Sequence, residues 1–252
     1  MKRIAGEVRQ ALVFLTVLPL PVPPIGGTAE LGRSMAFFPL IGLVLGLLLA
    51  AVNYTLGFLF PPTVAGLLVL LLLVYLTGAL HLDGVADTAD GMYGIRERAA
   101  RLRIMKDSRV GAMGVVALFA LLLLKVVPLI AIPAEVQWRV LIALPVIGRW
   151  VMVALAVLAP YARSEGGTGS VFVEFAGRRE LLIATVTLLA VLLALFGLWG
   201  LTLLGALSLV VITLERYFHR HLGGVTGDIL GAVCEWSEAL FLLLASAAYF
   251  HH

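Results

Sequence analysis

Seven apolar runs, each near the length needed to cross a bilayer, constrain this chain more than any other feature. They are Ser34–Asn53, Thr63–Leu80, Val110–Ile130, Arg139–Ala159, Leu181–Phe196, Leu201–Leu214 and Ile229–Tyr249. A helix needs about 20 residues to span the hydrocarbon core, whereas a barrel strand needs about half that and alternates in polarity. Lipid offers backbone N–H and C=O groups no partner, so only helices or closed barrels can span it. Continuous runs of Leu, Ala and Val select helices. Composition agrees: 62% of residues are hydrophobic and 13% charged, against about 25% charged in soluble domains. The expected fold is all-α, a polytopic transmembrane helical bundle of about seven spans forming one domain over residues 1–252. Residues 1–9 are basic and 11–20 apolar, as in a signal peptide, but Pro19, Pro21, Pro23 and Pro24 stand where small cleavage-site residues belong. An interfacial or re-entrant helix is expected there instead. His251 and His252 read as the stub of a purification tag. Cys234 rules out an intramolecular disulfide and reads as a packing residue.

Charge placement orients the bundle. With the N-terminus in the cytoplasm, segments 1–33, 81–109, 160–180 and 215–228 face inward. Of the eighteen Lys and Arg residues, all but Lys125, Arg139 and Arg149 fall in those segments. Loops near 54–62, 131–138 and 197–200 carry none. This is the positive-inside pattern, and it puts the chain in the cytoplasmic (inner) membrane with its ionisable groups on the cytoplasmic side.

The chemistry sits in His81-Leu-Asp83-Gly-Val-Ala-Asp87-Thr-Ala-Asp90-Gly91. Spacings of four and three place Asp83, Asp87 and Asp90 on one helical stripe. Like charges so arranged repel, and a hard cation relieves the repulsion. Mg²⁺ takes oxygen ligands and commonly shares them with substrate phosphates. His81 adjoins the stripe, and because Mg²⁺ prefers oxygen it reads as a proton-transfer or supporting residue. The next segment holds Arg96, Arg98, Arg101, Arg103, Lys106, Asp107 and Arg109. Such a run can rest on anionic lipid or cradle phosphates through bidentate Arg contacts. Arg96, Arg101, Arg103, Lys106, Asp107 and Arg109 are the candidate substrate contacts. A metal site beside a basic arm is the pairing that phosphoryl transfer requires.

Weaker signals lie further on. Asp228, in a Thr-Gly-Asp motif, is a fourth candidate metal ligand. Glu235 and Glu238 fall inside a span, where charge is costly and faces a protein or aqueous interior. Arg149 also lies within a span. It can pair with a helix carboxylate such as Glu235, or contact substrate phosphate, as can Arg163 in the third inner loop. Gly166, Gly167 and Gly169 there allow backbone to approach a phosphate.

Taken together, these residues carry a family likeness. The run Gly78–Gly91 and the run Arg103-Ile-Met-Lys-Asp-Ser-Arg-Val-Gly-Ala-Met-Gly114 closely resemble the cobalamin synthases, the adenosylcobinamide-GDP ribazoletransferases. Phe14–Pro19, Phe37–Gly42, Gly148-Arg149, Pro160–Arg163, Gly166–Gly169 and Gly223–Gly231 extend the resemblance over nearly the whole chain. It implies a Mg²⁺-dependent enzyme late in cobalamin biosynthesis. Such an enzyme joins α-ribazole, or its 5′-phosphate, to adenosylcobinamide-GDP and releases GMP. Its partners would be those small molecules and the bilayer, with no nucleic acid and with room for a homo-oligomer or other enzymes of the pathway. The residues alone reach only metal-assisted transfer to or from a diphosphate at a membrane surface. Asp87-Thr-Ala-Asp90-Gly91 also fits the opening of the CDP-alcohol phosphotransferase pattern, but Gly94-Ile95 stands where that pattern has Ala-Arg. An ion-coupled transporter is the rival of another class. It predicts midplane carboxylates, broken helices and internal repeats.

Overall fold

Helix-forming apolar runs, interrupted by Gly and Pro, set where the chain turns. A computed structural model describes residues 2–18, 27–94 and 97–250. Pro19, Pro21, Pro23, Pro24, Arg96, His251 and His252 lie outside the described residues. In chain order the helices are α1 (Lys2–Leu15), α2 (Gly27–Arg33), a 3-10 turn (Ser34–Phe37) leading into α3 (Phe38–Leu56), α4 (Pro62–Leu76), α5 (Leu80–Met92) and α6 (Arg98–Ile104). Then come α7 (Ala112–Ala131), α8 (Ala134–Leu158), α9 (Thr168–Phe175), α10 (Arg178–Phe196), α11 (Trp199–Leu222) and α12 (Gly227–Phe250). Among the described residues there is no strand, only an isolated bridge between Tyr161 and Val225. Among the described residues, six helical units are long and apolar enough to cross a membrane, and the bent pair α4–α5, taken as one span, makes a seventh.

The α4–α5 break departs from the straight span expected over Thr63–Leu80. Helix α4 stops at Leu76 in a Schellman-type cap. Gly78 takes φ 59°, its N–H bonds the carbonyl of Tyr75, and the N–H of Ala79 reaches back to Val74. Ala79 is also left-handed, at φ 55°, a conformation that costs an L-residue about 1–2 kcal/mol. The two helices meet at 88°. Helix α11 departs in the other direction, continuing to Leu222 through much of what reads as the fourth inner segment.

Helix α8 is the axle: 89% of its apolar window is buried, against 17% for α11. Gly42 and Gly46 of α3 lie flat on it. A Cβ at either would come within 2.5 Å of a carbonyl oxygen, that of Pro145 or Ile142. Without a hydrophobic drive between helices in lipid, such small-residue contacts let dispersion forces hold them. Peripheral side chains such as Leu71, Phe119, Val186 and Leu209 are exposed, forming the apolar surface that lipid covers. At one end of the bundle, the basic and acidic connections converge. Glu7 of α1 is buried and pairs with Arg179 of α10 at 2.8 Å. Lys106 approaches Glu165 at 3.7 Å, and Arg163 pairs with Asp228 at 2.7 Å.

Candidate active site at the polar end of the bundle

Two glycine contacts bring the acidic stripe to the head of α12. A Cβ on Gly84 would fall 2.4 Å from the carbonyl oxygen of Asp228, and one on Gly231 would fall 3.2 Å from the Cα of His81. Helices α5 and α12 therefore run antiparallel with backbones in contact. Asp83 and Asp87 come to stand beside Asp228. Among the described residues neither Asp83 nor Asp87 accepts a hydrogen bond. Asp87 feels the like charges of Asp83, Asp228 and Asp90, with Arg163 as the opposing cation.

Asp90 is placed differently. Its Oδ2 accepts the N–H of Gly111 at 2.6 Å and its Oδ1 the N–H of Gly114 at 2.9 Å. It thus satisfies two of the orphan donors that open α7, where an anion is also favoured by the helix dipole. Helical phase puts Asp90 on the stripe. Its carboxylate nevertheless ties α5 to α7.

Backbone pairing sets the position of Arg163. The N–H of Val225 bonds the carbonyl of Pro160 at 2.9 Å, and the N–H of Ala162 bonds Val225 at 2.8 Å. Gly224 makes this approach feasible, since a Cβ there would lie 2.1 Å from the Pro160 carbonyl oxygen at a φ of +150°. The loop after α8 is thus clamped to the loop before α12, with Arg163 over Asp228. Arg98 adds a third strand of contact by donating to the carbonyl of Ala162 at 3.0 Å.

The Arg163–Asp228 pair stands between two spaces. On one side is a cleft of about 690 Å³, lined by Arg98, Arg103, Lys106, Tyr161, Arg163 and Glu165 among others. Burial pushes the Tyr161 phenol above its ordinary pKa, against the pull of Arg163, so it remains a neutral donor. The other space is a smaller pocket under Asp83 and Asp228. Arg103 and Lys106, two of the candidate substrate contacts, line the cleft. Arg101 turns back instead toward the carbonyls of Met92 and Gly94. Arg109 stays exposed and forks onto Asp107, with bonds of 3.1 and 2.8 Å. Those bonds hold the Asp107 carboxyl down at about 2. Arg98 and Tyr161 are the residues that sequence reasoning missed. Arg98 shares the basic run, and Tyr161 is two residues from Arg163 in the Pro160–Arg163 motif.

A second polar group is buried inside the spans. Lys125 of α7 contacts Glu235 at 2.5 Å and Glu238 at 2.6 Å, and Arg149 of α8 pairs with Glu238. His81 turns its Nδ1 toward Glu235 Oε1, at 3.9 Å, and toward Cys234. Arg149 therefore takes the intramembrane-pair role, with Glu238 as its partner, and does not reach the cleft. Buried carboxylates and a broken helix are features a transporter would need. Here two cations and two carboxylates neutralise one another.

Among the described residues, no three His, Cys, Asp or Glu groups are gathered into a ready-made metal cage. The donor set still suits a hard cation. Asp83 and Asp87 offer unengaged oxygens, like charges crowd there, and Mg²⁺ usually needs only one or two carboxylates beside substrate phosphates.

Comparison with known proteins fits this geometry. The family model described as cobalamin-5-phosphate synthase matches residues 7–246. A protein of Geotalea daltonii called adenosylcobinamide-GDP ribazoletransferase is 43% identical over 92% of this chain and 94% of its own length. Proteins of the same name from Desulforamulus reducens and Acetivibrio thermocellus are 41% and 37% identical. They cover 95% and 92% of the chain, and 96% and 93% of their own lengths. No solved structure matches the chain. With the match running through every helix that builds the site, the chain belongs to the cobalamin-5-phosphate synthase family.

Proposed function

We propose that this enzyme joins α-ribazole, or its 5′-phosphate, to adenosylcobinamide-GDP and releases GMP, using Mg²⁺ at the cytoplasmic face of the inner membrane. The observation that carries the reading is the Arg163–Asp228 pair, which makes the acidic stripe and the basic cleft one continuous site. Phosphoryl transfer asks little covalent chemistry of a protein and much positioning and charge neutralisation.

In the reaction, a ribose hydroxyl oxygen attacks the phosphorus attached to cobinamide. The new P–O bond forms as the bond to GMP breaks, and GMP leaves with the bonding electrons while the hydroxyl gives up its proton. Arg98, Arg103, Lys106 and Arg163 bind and orient the diphosphate, and Tyr161 can donate a further hydrogen bond. Asp83, Asp87 and Asp228 are the residues that would hold Mg²⁺. When bound, that ion supplies positive charge against the reacting phosphate. Asp83 or Asp87 can accept the hydroxyl proton where it is not committed to the metal. The positive-inside distribution of Lys and Arg supports a cytoplasmic site.

The test is reconstitution with adenosylcobinamide-GDP, α-ribazole and Mg²⁺, following GMP. GMP release that stops on chelation and returns with added Mg²⁺ is expected. Asp83→Asn and Asp87→Asn should each lower kcat by about 100-fold or more with unfolding temperature retained, the scale of losing one charge-stabilising group. Absence of GMP from folded protein would overturn the assignment. Indifference to chelation would remove the metal from it.

A further inference from the structure

Beneath Asp83 and Asp228 lies a pocket of about 210 Å³ that the charged cleft does not share. We infer that it seats the aromatic base of the acceptor riboside, so that donor and acceptor enter separate compartments on either side of the Arg163–Asp228 pair. This rests on the proposed reaction and specifies its acceptor half.

Size is the first argument. A cavity of about 150 Å³ holds benzene. One of about 210 Å³ has room for a substituted bicyclic ring, but not for a nucleotide or a corrinoid.

Chemistry is the second argument. Phe14, Met152 and Phe172 form much of the wall. The Phe14 and Phe172 ring centroids are 4.7 Å apart, and fully buried Phe38 packs behind both at 5.9 and 5.6 Å. Rigid aromatic edges and a polarisable thioether suit a flat heterocycle. The titratable residues lining the pocket are His81, Asp83 and Asp228. With carboxylates at its rim and, among the described residues, no Arg or Lys in its wall, it repels a phosphate and admits a neutral base.

The third argument is an unmet hydrogen bond. His81 lines this pocket, and its Nε2 is buried with no partner among the described residues. Leaving such a nitrogen unpaired is costly, and a ring nitrogen or hydroxyl of a bound riboside offsets that cost. Few polar groups in an apolar pocket are what fix a ligand's orientation. With its base seated there, the riboside holds its sugar at the Asp83–Asp228 rim, facing the phosphates that Arg163 reaches.

The test uses three ribosides that differ only in base: benzimidazole, 5,6-dimethylbenzimidazole and the larger naphthimidazole. Their binding to the full-length protein in detergent is measured by equilibrium dialysis without donor, so it does not depend on turnover. The naphthimidazole riboside should bind at least about tenfold more weakly than the dimethyl compound, the scale on which an apolar pocket rejects excess bulk. Met152→Trp should weaken all three by a similar factor while leaving adenosylcobinamide-GDP binding within about twofold. Phe172→Ala should narrow the penalty on the largest base. Retained donor binding certifies that each variant is folded. If a variant loses it, the three-base series on the unaltered protein decides. Equal binding of all three bases by the unaltered protein would overturn the pocket assignment, as would unchanged riboside affinity in a Met152→Trp variant that retains donor binding. Failure of the unaltered protein to release GMP, with the base series intact, would instead count against the reaction.

Discussion

Asp90 shows how one side chain can belong to a pattern and yet serve another end. Its spacing makes it the third member of an acidic stripe, but both oxygens are engaged by the backbone of Gly111 and Gly114. Asp90→Asn keeps one acceptor oxygen and loses the other, and Asp90→Ala loses both. Each N–H left buried without a partner costs about 1–3 kcal/mol. Stability should therefore fall in the order Asp, Asn, Ala, read as the unfolding temperature in detergent. Asp83→Asn should leave that temperature within about 2 °C, since its carboxylate accepts no hydrogen bond from a described residue. If Asp90→Asn matched Asp83→Asn in stability, the capping role would be withdrawn.

At the scale of elements, the site depends on how closely α5 approaches α12. Gly84→Val would place a Cβ 2.4 Å from the Asp228 carbonyl oxygen, and backbone cannot yield as a flexible side chain can. The helices must part, carrying Asp83 and Asp87 away from Asp228. Turnover should fall by about 100-fold, since displacement of about 1 Å from productive geometry can cost that much. Binding of α-ribazole and donor can be followed separately on the same variant, and wild-type turnover would refute the close-contact argument. The bend before α5 offers the opposite experiment. Ala79 holds a left-handed conformation that glycine adopts without steric cost. Ala79→Gly should therefore leave thermal stability unchanged or raise it by up to about 1 kcal/mol. A loss above that figure in thermal unfolding would mean that the alanine side chain supports the bend.

For the molecule as a whole, the buried group Lys125, Arg149, Glu235 and Glu238 links α7, α8 and α12 beneath the site. Glu238 touches both cations. Glu238→Gln leaves positive charge inside the bundle with only Glu235 to meet it, and breaking a buried pair this way costs about 3–5 kcal/mol. Such a loss should appear as a lower unfolding temperature in detergent together with reduced expression in the membrane. Restoring balance with Lys125→Met in the same chain should recover part of it. No recovery in the double variant would show that the two residues are not coupled.

The seven apolar runs, the polar end and the acidic stripe were legible in the sequence because each depends on local composition or helical phase alone. Burial in lipid enforces the first, charge placement along the chain the second, and the 3.6-residue turn the third. The break at Gly78 and Ala79 was not legible, because Ala favours helix and the left-handed turn is closed by backbone bonds to Tyr75 and Val74 that composition does not report. Nor were the partners: Arg163 with Asp228, Arg149 with Glu238, and Asp90 with the head of α7 are separated by 65, 89 and 21 positions. Spacing along a chain cannot report which distant loop a backbone bridge will clamp, or which carboxylate a buried cation will reach. Sequence determined that this is a membrane helix bundle carrying carboxylates and arginines at one end. Only tertiary structure decided which of them face the cleft, because glycine contacts between helices set that geometry.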